Sequence, residues 1–230
     1  SLSLSLGTSA VAPIQMARGY SVFVNGGRLV DPWFIERIED REGRALFRMQ
    51  PLLACDDCSN EAGGVRVAPE VIDPRIAYMV TSLMQDVVTR GTGSGARVLG
   101  RPDIGGKTGT TNDFRDVWFS GFGGHLVATV WVGFDDFSPL GQGEFASRNA
   151  VPIWTDFMRT ALDEAPVREF ALPDGLVRVA MSPFTGALAR AGEPGAISDL
   201  VRREDIERIR FGQGILGGTS AEEEAAYDIF

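Results

Sequence analysis

Three strand-forming runs, at 103–111, 116–122 and 126–134, follow one another with only a few residues between them. A parallel pairing needs a crossover of about a dozen residues or more, so runs this close pair antiparallel. Gly123-Gly124 supplies a tight turn between the second and the third. Around this core the periodicity is helical, without a regular strand–helix–strand rhythm. The class implied is α+β, an antiparallel sheet with packed helices.

Three amphipathic segments supply those helices. The first is entered near Pro13 with Thr8 or Ser9 as its cap, ends at Gly26-Gly27, and would bury Ile14, Ala17 and Val24. The second is capped by Asp73 with Pro74 in its first turn. It carries a stripe of Ile76, Met79, Val80, Leu83, Met84, Val87 and Val88, read as core, and Gly91 stops it. The third starts near Pro152 and sets Ile153, Trp154, Phe157, Met158, Ala161 and Leu162 on one face. Trp33–Glu39 and Arg44–Phe47 flank Asp40-Arg41-Glu42-Gly43 as a β-hairpin. A short strand at Leu176–Met181 precedes a turn at 183–186.

The expected organisation is a main body over 1–165, an extension over 166–198, and an acidic, flexible tail over 199–230. From Glu193 onward there are nine acids against four arginines, most of the chain's net charge of −9. That balance argues against nucleic acid as a partner, since phosphate binding needs a basic face. The longest apolar stretch, Leu126–Phe134, is far short of the ~20 residues of a membrane helix, so no membrane contact is expected within this segment. The chain opens on Ser1 rather than Met and is expected to be part of a longer polypeptide.

Lys107 is the only lysine among 22 basic residues. Arginine-rich coding explains the bias, and the surviving lysine then marks a place where a compact ammonium is needed rather than a planar fork. Its setting, Gly105-Gly106-Lys107-Thr108-Gly109-Thr110-Thr111, has two possible chemistries. A phosphate-binding loop would require glycine at 101, which is Arg101, and a helix directly after the lysine. Lys-Thr-Gly on an edge strand instead suits a peptide ending in a free carboxylate. Lys107, Thr108 and Thr110 offer a cation and hydroxyl donors, Gly109 lets a backbone lie close, and the strand edge can pair with an extended substrate.

The flanking strings decide between them. Asp103 through Asp113, Asp116–Phe122 and Val130–Asp135 closely resemble the transpeptidase domain of class A (bifunctional) penicillin-binding proteins. So do Leu6-Gly7-Thr8-Ser9 leading to Asn25-Gly26-Gly27, and Ala150–Trp154 with Phe157-Met158. The cysteines at 55 and 58 and the ending Tyr227–Phe230 resemble the one-A type.

This resemblance implies a partial penicillin-binding/serine β-lactamase-like domain, the C-terminal part of a D,D-transpeptidase. There a serine attacks D-alanyl-D-alanine stem peptides of peptidoglycan and β-lactams compete for the groove. Lys107 and Thr110 would be catalytic; Lys107, Thr108, Gly109, Thr110 and Thr111 would bind substrate. No cofactor and no metal is implied. The location implied is the periplasmic face of the bacterial inner membrane, with the anchor upstream.

Of the family's three motifs only Lys-Thr-Gly is present. A Ser-x-x-Lys ending at the sole lysine would need serine at 104, which is Ile104. Ser147-Arg148-Asn149 spells Ser-x-Asn but follows Lys-Thr-Gly, and reads better as a helix start. The nucleophile is therefore expected upstream in the same polypeptide, and this segment alone is expected to be inactive. The alternative is a non-catalytic wall-peptide-binding or scaffold module of the same fold. His125 reads as a solvated turn residue, and no Gly-x-Ser-x-Gly elbow is present. Cys55 and Cys58 lack two further ligands for zinc. A local disulfide suits the implied compartment, and free thiols remain the other reading.

Overall fold

A computed structural model describes residues 9–55 and 66–210. The chain divides into two compact units, Ser1–Ala171 and Leu172–Phe230.

The first unit centres on a three-stranded antiparallel sheet of order β5-β6-β7: β5 Gly105–Thr110, β6 Asp116–Gly123 and β7 Leu126–Gly133. These are the three runs expected from the sequence, paired as expected. Preceding them are helix α1 (Pro13–Val24), hairpin β1–β2 (Arg37–Glu39 and Ala45–Arg48), the short pair β3–β4 (Leu52–Leu53 and Arg66–Val67) and helix α2 (Pro74–Arg90). Helix α3 (Ala150–Ala161) follows.

The two faces of the sheet are covered by different helices. Directly opposite residues in a register share a face, so Thr108, Phe119 and Val130 lie on one side and Lys107, Ser120 and Thr129 on the other. On the first side Phe119 meets the α3 residue Trp154 edge-on, ring centroids 5.1 Å apart, and both are fully buried. Val117, Val151, Met158 and Leu162 complete that core. On the second side Phe122 packs with Val24 of α1 and Met84 of α2. Sheet and helices approach closely where glycines allow it. A Cβ on Gly106 would lie 2.6 Å from the Phe119 ring, and one on Gly121 would lie 2.9 Å from Trp154.

Several boundaries and faces differ from the sequence reading. Helix α1 is not capped by Ser9; its N-cap is Ala12, whose backbone N–H donates to Gln15 Oε1 at 2.8 Å, and Thr8 lies outside the described residues. Val22 and Val24 are buried, while Ile14 is exposed. In α2 the buried line is Ala77, Thr81, Met84 and Val88, and Leu83 is 61% exposed. At the contact with α1, the Thr81 hydroxyl proton is shared between the carbonyls of Ala77 (2.9 Å) and Phe23 (3.0 Å), so a polar residue occupies the seam with its hydroxyl satisfied. In α3, Ile153 and Phe157 are exposed and Ala150, Val151 and Thr155 take the buried places.

The second unit is a hairpin of β8 (Leu176–Met181) and β9 (Ile197–Arg202), followed by a single 3-10 turn and the short helix α4 (Ile206–Arg210). Met181, Val201 and Ile209 form its core. Residues 199–210, expected in the flexible acidic tail, are thus part of regular elements, and β9 runs across the expected 198/199 boundary. Charge counting hid the apolar residues Leu200, Val201 and Ile209, which are buried. The rest of the expected tail, 211–230, lies outside the described residues.

Candidate active site

Strand β5 is an edge strand, paired on one side by β6 and on the other by no strand among the described residues. No helix starts at Thr108, so the phosphate-loop geometry is not formed. The strand's first two residues are buried and the next four, from Lys107 to Thr110, are partly or fully accessible. The Lys-Thr-Gly-Thr segment therefore emerges from the core at its lysine.

Alternation along the strand sorts the side chains. Lys107 lies on the α1/α2 side, opposite buried Ser120, and its ammonium donates to the Thr108 carbonyl at 2.7 Å. Thr108 and Thr110 share the other side. Thr110 Oγ1 accepts from the Ala146 backbone N–H at 3.2 Å, which leaves its own hydroxyl proton free to donate. The Thr108 hydroxyl lies 2.6 Å from that of Thr92. Gly109 carries no side chain above Trp118, whose Cβ is 3.3 Å from where a Gly109 Cβ would sit.

Thr111, expected among the substrate-binding residues, is placed differently. Its hydroxyl donates to the Asp116 carbonyl at 3.1 Å and accepts from the Asp116 N–H at 2.9 Å. Both functions are spent closing the β5–β6 turn. Within that turn Asp113 and Phe114 hold positive φ of 59° and 53°. The buried Asp116 carboxylate accepts from the indole N–H groups of Trp118 (3.1 Å) and Trp131 (2.9 Å) through one oxygen, and its other oxygen has no hydrogen-bond partner among the described residues.

The entry to β5 is fixed by Asp103, buried and unanticipated in the sequence reading. Its carboxylate forms a two-pronged pair with Arg101 (2.8 and 3.0 Å) and accepts the N–H groups of Gly124 and Arg168. Burial alone would raise its pKa; the hydrogen bonds from Arg101, Arg168 and Gly124 outweigh it and hold the carboxyl below its ordinary range. Arg101 also donates to the carbonyls of Leu162, Ala165 and Pro166. The pair thereby ties the segment after α3 to the start of the strand.

The remaining candidates are dispersed. Asn149 stands at the N-cap of α3 but makes no cap bond; its side chain donates to Glu144 and Phe145. His125 is exposed in the β6–β7 turn. Cys55 is disulfide-bonded, and Cys58 lies outside the described residues. Among the described residues no His, Cys, Asp and Glu cluster could hold a metal, and no helix is long and apolar enough to cross a membrane.

Comparison with known proteins agrees with this geometry. Residues 1–124 match the model of the penicillin binding protein transpeptidase domain. Penicillin-binding protein 1A of Pseudomonas aeruginosa is 40% identical over 238 aligned positions, covering 88% of this chain and 29% of the relative. Penicillin-binding protein 1A of Neisseria lactamica is 46% identical over 177, covering 77% and 21%. The crystal structure of penicillin-binding protein 1A from Haemophilus influenzae superposes with a TM-score of 0.79 at 35% identity, covering 88% of this chain and 33% of that one. The chain spans a third or less of the length of these relatives. The fold is the penicillin-binding, β-lactamase-like one, and the chain belongs to the penicillin-binding protein transpeptidase family.

Proposed function

We propose that this chain supplies the substrate-carboxylate strand of a serine D,D-transpeptidase whose nucleophile lies upstream in the same polypeptide. The observation that carries the reading is the exposed β5 edge, where a bare glycine is flanked by Lys107 on one face and by the Thr108 and Thr110 hydroxyls on the other. An extended peptide laid along that edge brings its terminal carboxylate to the Lys107 ammonium and the Thr108 and Thr110 hydroxyls. The upstream serine oxygen bonds to the carbonyl carbon of the penultimate D-alanine, and the N–H group of Thr110 supplies one oxyanion contact. The amide C–N bond breaks, the departing D-alanine takes up a proton, and an acceptor amine then displaces the serine from the ester. β-Lactams carry a carboxylate and a cyclic amide in the same relation and enter the same groove. The setting this implies is the periplasmic face of the inner membrane, and there a disulfide between Cys55 and Cys58 would persist.

Labelling with a fluorescent penicillin tests the reading. The full-length polypeptide should be labelled covalently, and residues 1–230 alone should not. Stable labelling of a serine within this chain would place the nucleophile wrongly. A full-length polypeptide that is not labelled would favour the scaffold alternative, which the lack of a Ser-x-x-Lys in this segment keeps open.

A further inference from the structure

The Thr92 hydroxyl lies 2.6 Å from the Thr108 hydroxyl, across 16 residues of sequence. Thr92 sits in the Gly91-Thr92-Gly93 turn that ends α2, and the turn is tightly held. The N–H groups of Gly91 and Gly93 both donate to the Val87 carbonyl, at 3.1 and 3.0 Å. A Cβ at Gly91 would lie 2.9 Å from the Val87 backbone, and one at Gly93 would lie 3.3 Å from the Phe119 ring. Phe119 is also the register partner of Thr108. The same buried ring thus lies under both the turn and the strand that carry the two hydroxyls.

Two hydroxyls in contact have two protons, and one of them is used between them. If Thr92 donates, the Thr108 proton is free to point at a ligand. If Thr108 donates, it faces a ligand only as an acceptor, which an anion repels. We infer that Thr92 is a positioning residue that donates to Thr108 and turns the Thr108 hydroxyl proton toward the carboxylate of the acyl donor's leaving group. The inference rests on the transpeptidase reading above. It gives that carboxylate two hydroxyl donors from one face of β5, Thr108 and Thr110, with the Lys107 ammonium coming from the other face. Nothing in residues 91–93 alone announces this, because the contact exists only once α2 has delivered its last turn to the strand.

The test uses the full-length polypeptide and two thioester acyl donors, N-benzoyl-D-alanyl thiolactate, with a carboxylate on its leaving group, and the N-benzoyl-D-alanyl ester of ethanethiol, without one. Acylation is read as kcat/KM, and the quantity of interest is the ratio between the donors. Thr92→Val should lower that ratio several-fold, the size expected for losing one neutral hydrogen bond that holds the Thr108 proton in line. Thr92→Ser should restore it, and Thr92→Ala should match the valine variant. Equal losses on both donors would make Thr92 merely structural and overturn the inference. An unchanged ratio in Thr92→Val, with a lowered one in Thr108→Val, would also overturn it while leaving the transpeptidase reading intact. A ratio moved by neither Thr108→Val nor Lys107→Ala would instead sink that reading itself.

Discussion

On the proposed reading, a guanidinium at position 107 would be larger and planar, and would crowd either the substrate carboxylate or the upstream serine hydroxyl. The chain's own bias toward arginine makes Lys107→Arg the natural substitution, yet lysine stands there. Losing one charge-assisted contact costs about 1.5–3 kcal/mol, and misplacing the reacting carbonyl adds to it. Lys107→Arg should slow penicillin acylation of the full-length polypeptide on the order of a hundredfold or more, with the melting temperature hardly changed. Near wild-type kinetics would reduce Lys107 to a surface charge. Asp103 should behave in the opposite way, as a stability residue. Asp103→Ala strands a mostly buried Arg101 and two N–H donors and should cost about 3–5 kcal/mol. The sign of its pH dependence follows from its lowered pKa. The contribution is complete above the ordinary carboxylate value, about pH 4, and is lost as pH falls through the lower folded-state value. Acid melts of the wild type and of Asp103→Asn should therefore begin to converge below about pH 4 and meet below the lowered folded-state value, and parallel curves would refute the assignment.

Close packing across β5 and β6 predicts a sharp response to added methyl groups. Gly106→Ala would put a Cβ 2.6 Å from a ring and 2.7 Å from the Ser120 carbonyl oxygen. It should cost about 1–3 kcal/mol by thermal denaturation, the usual range for overpacking, and an unchanged midpoint would mean the sheet relaxes freely. The cysteine loop should be tolerant, because a disulfide between residues 55 and 58 would close too short a loop to constrain the unfolded chain much. Replacing both by serine should leave the melting temperature nearly unchanged; a collapse would point to an essential bridge. The three strands were legible because β-branched runs and short turns leave few other arrangements. The helix faces were less so, since α2 and α3 carry more apolar residues than their packing can bury. Thr81 enters a core seam by hydrogen bonding to Phe23, which no hydropathy pattern signals. At the candidate site, the exposed edge-strand position of Lys107 was legible from the Lys-Thr-Gly string. Thr92 and Asp103 were not, because Thr92 meets its partner 16 residues on and Asp103 takes its backbone N–H donors from 21 and 65 residues on.

At the scale of the molecule, the sheet unit should depend on the segment that follows α3. A chain ending at Ala171 retains every Arg101 and Asp103 partner described above. One ending at Ala161 loses the Leu162, Ala165 and Pro166 carbonyls and the Arg168 N–H. The first should keep a cooperative melt by circular dichroism, and the second should lose it. Equal cooperativity in both would show that the tie is dispensable. The same tie has a bearing on biosynthesis. The carboxylate at 103 is made 65 residues before its last N–H donor at 168. At ~5–20 residues per second, the ribosome leaves on the order of ten seconds in which a nascent Lys-Thr-Gly strand has no finished anchor. For that interval its glycine-rich edge is open to pairing with other emerging chains, a window in which a chaperone or a slow codon would have most effect.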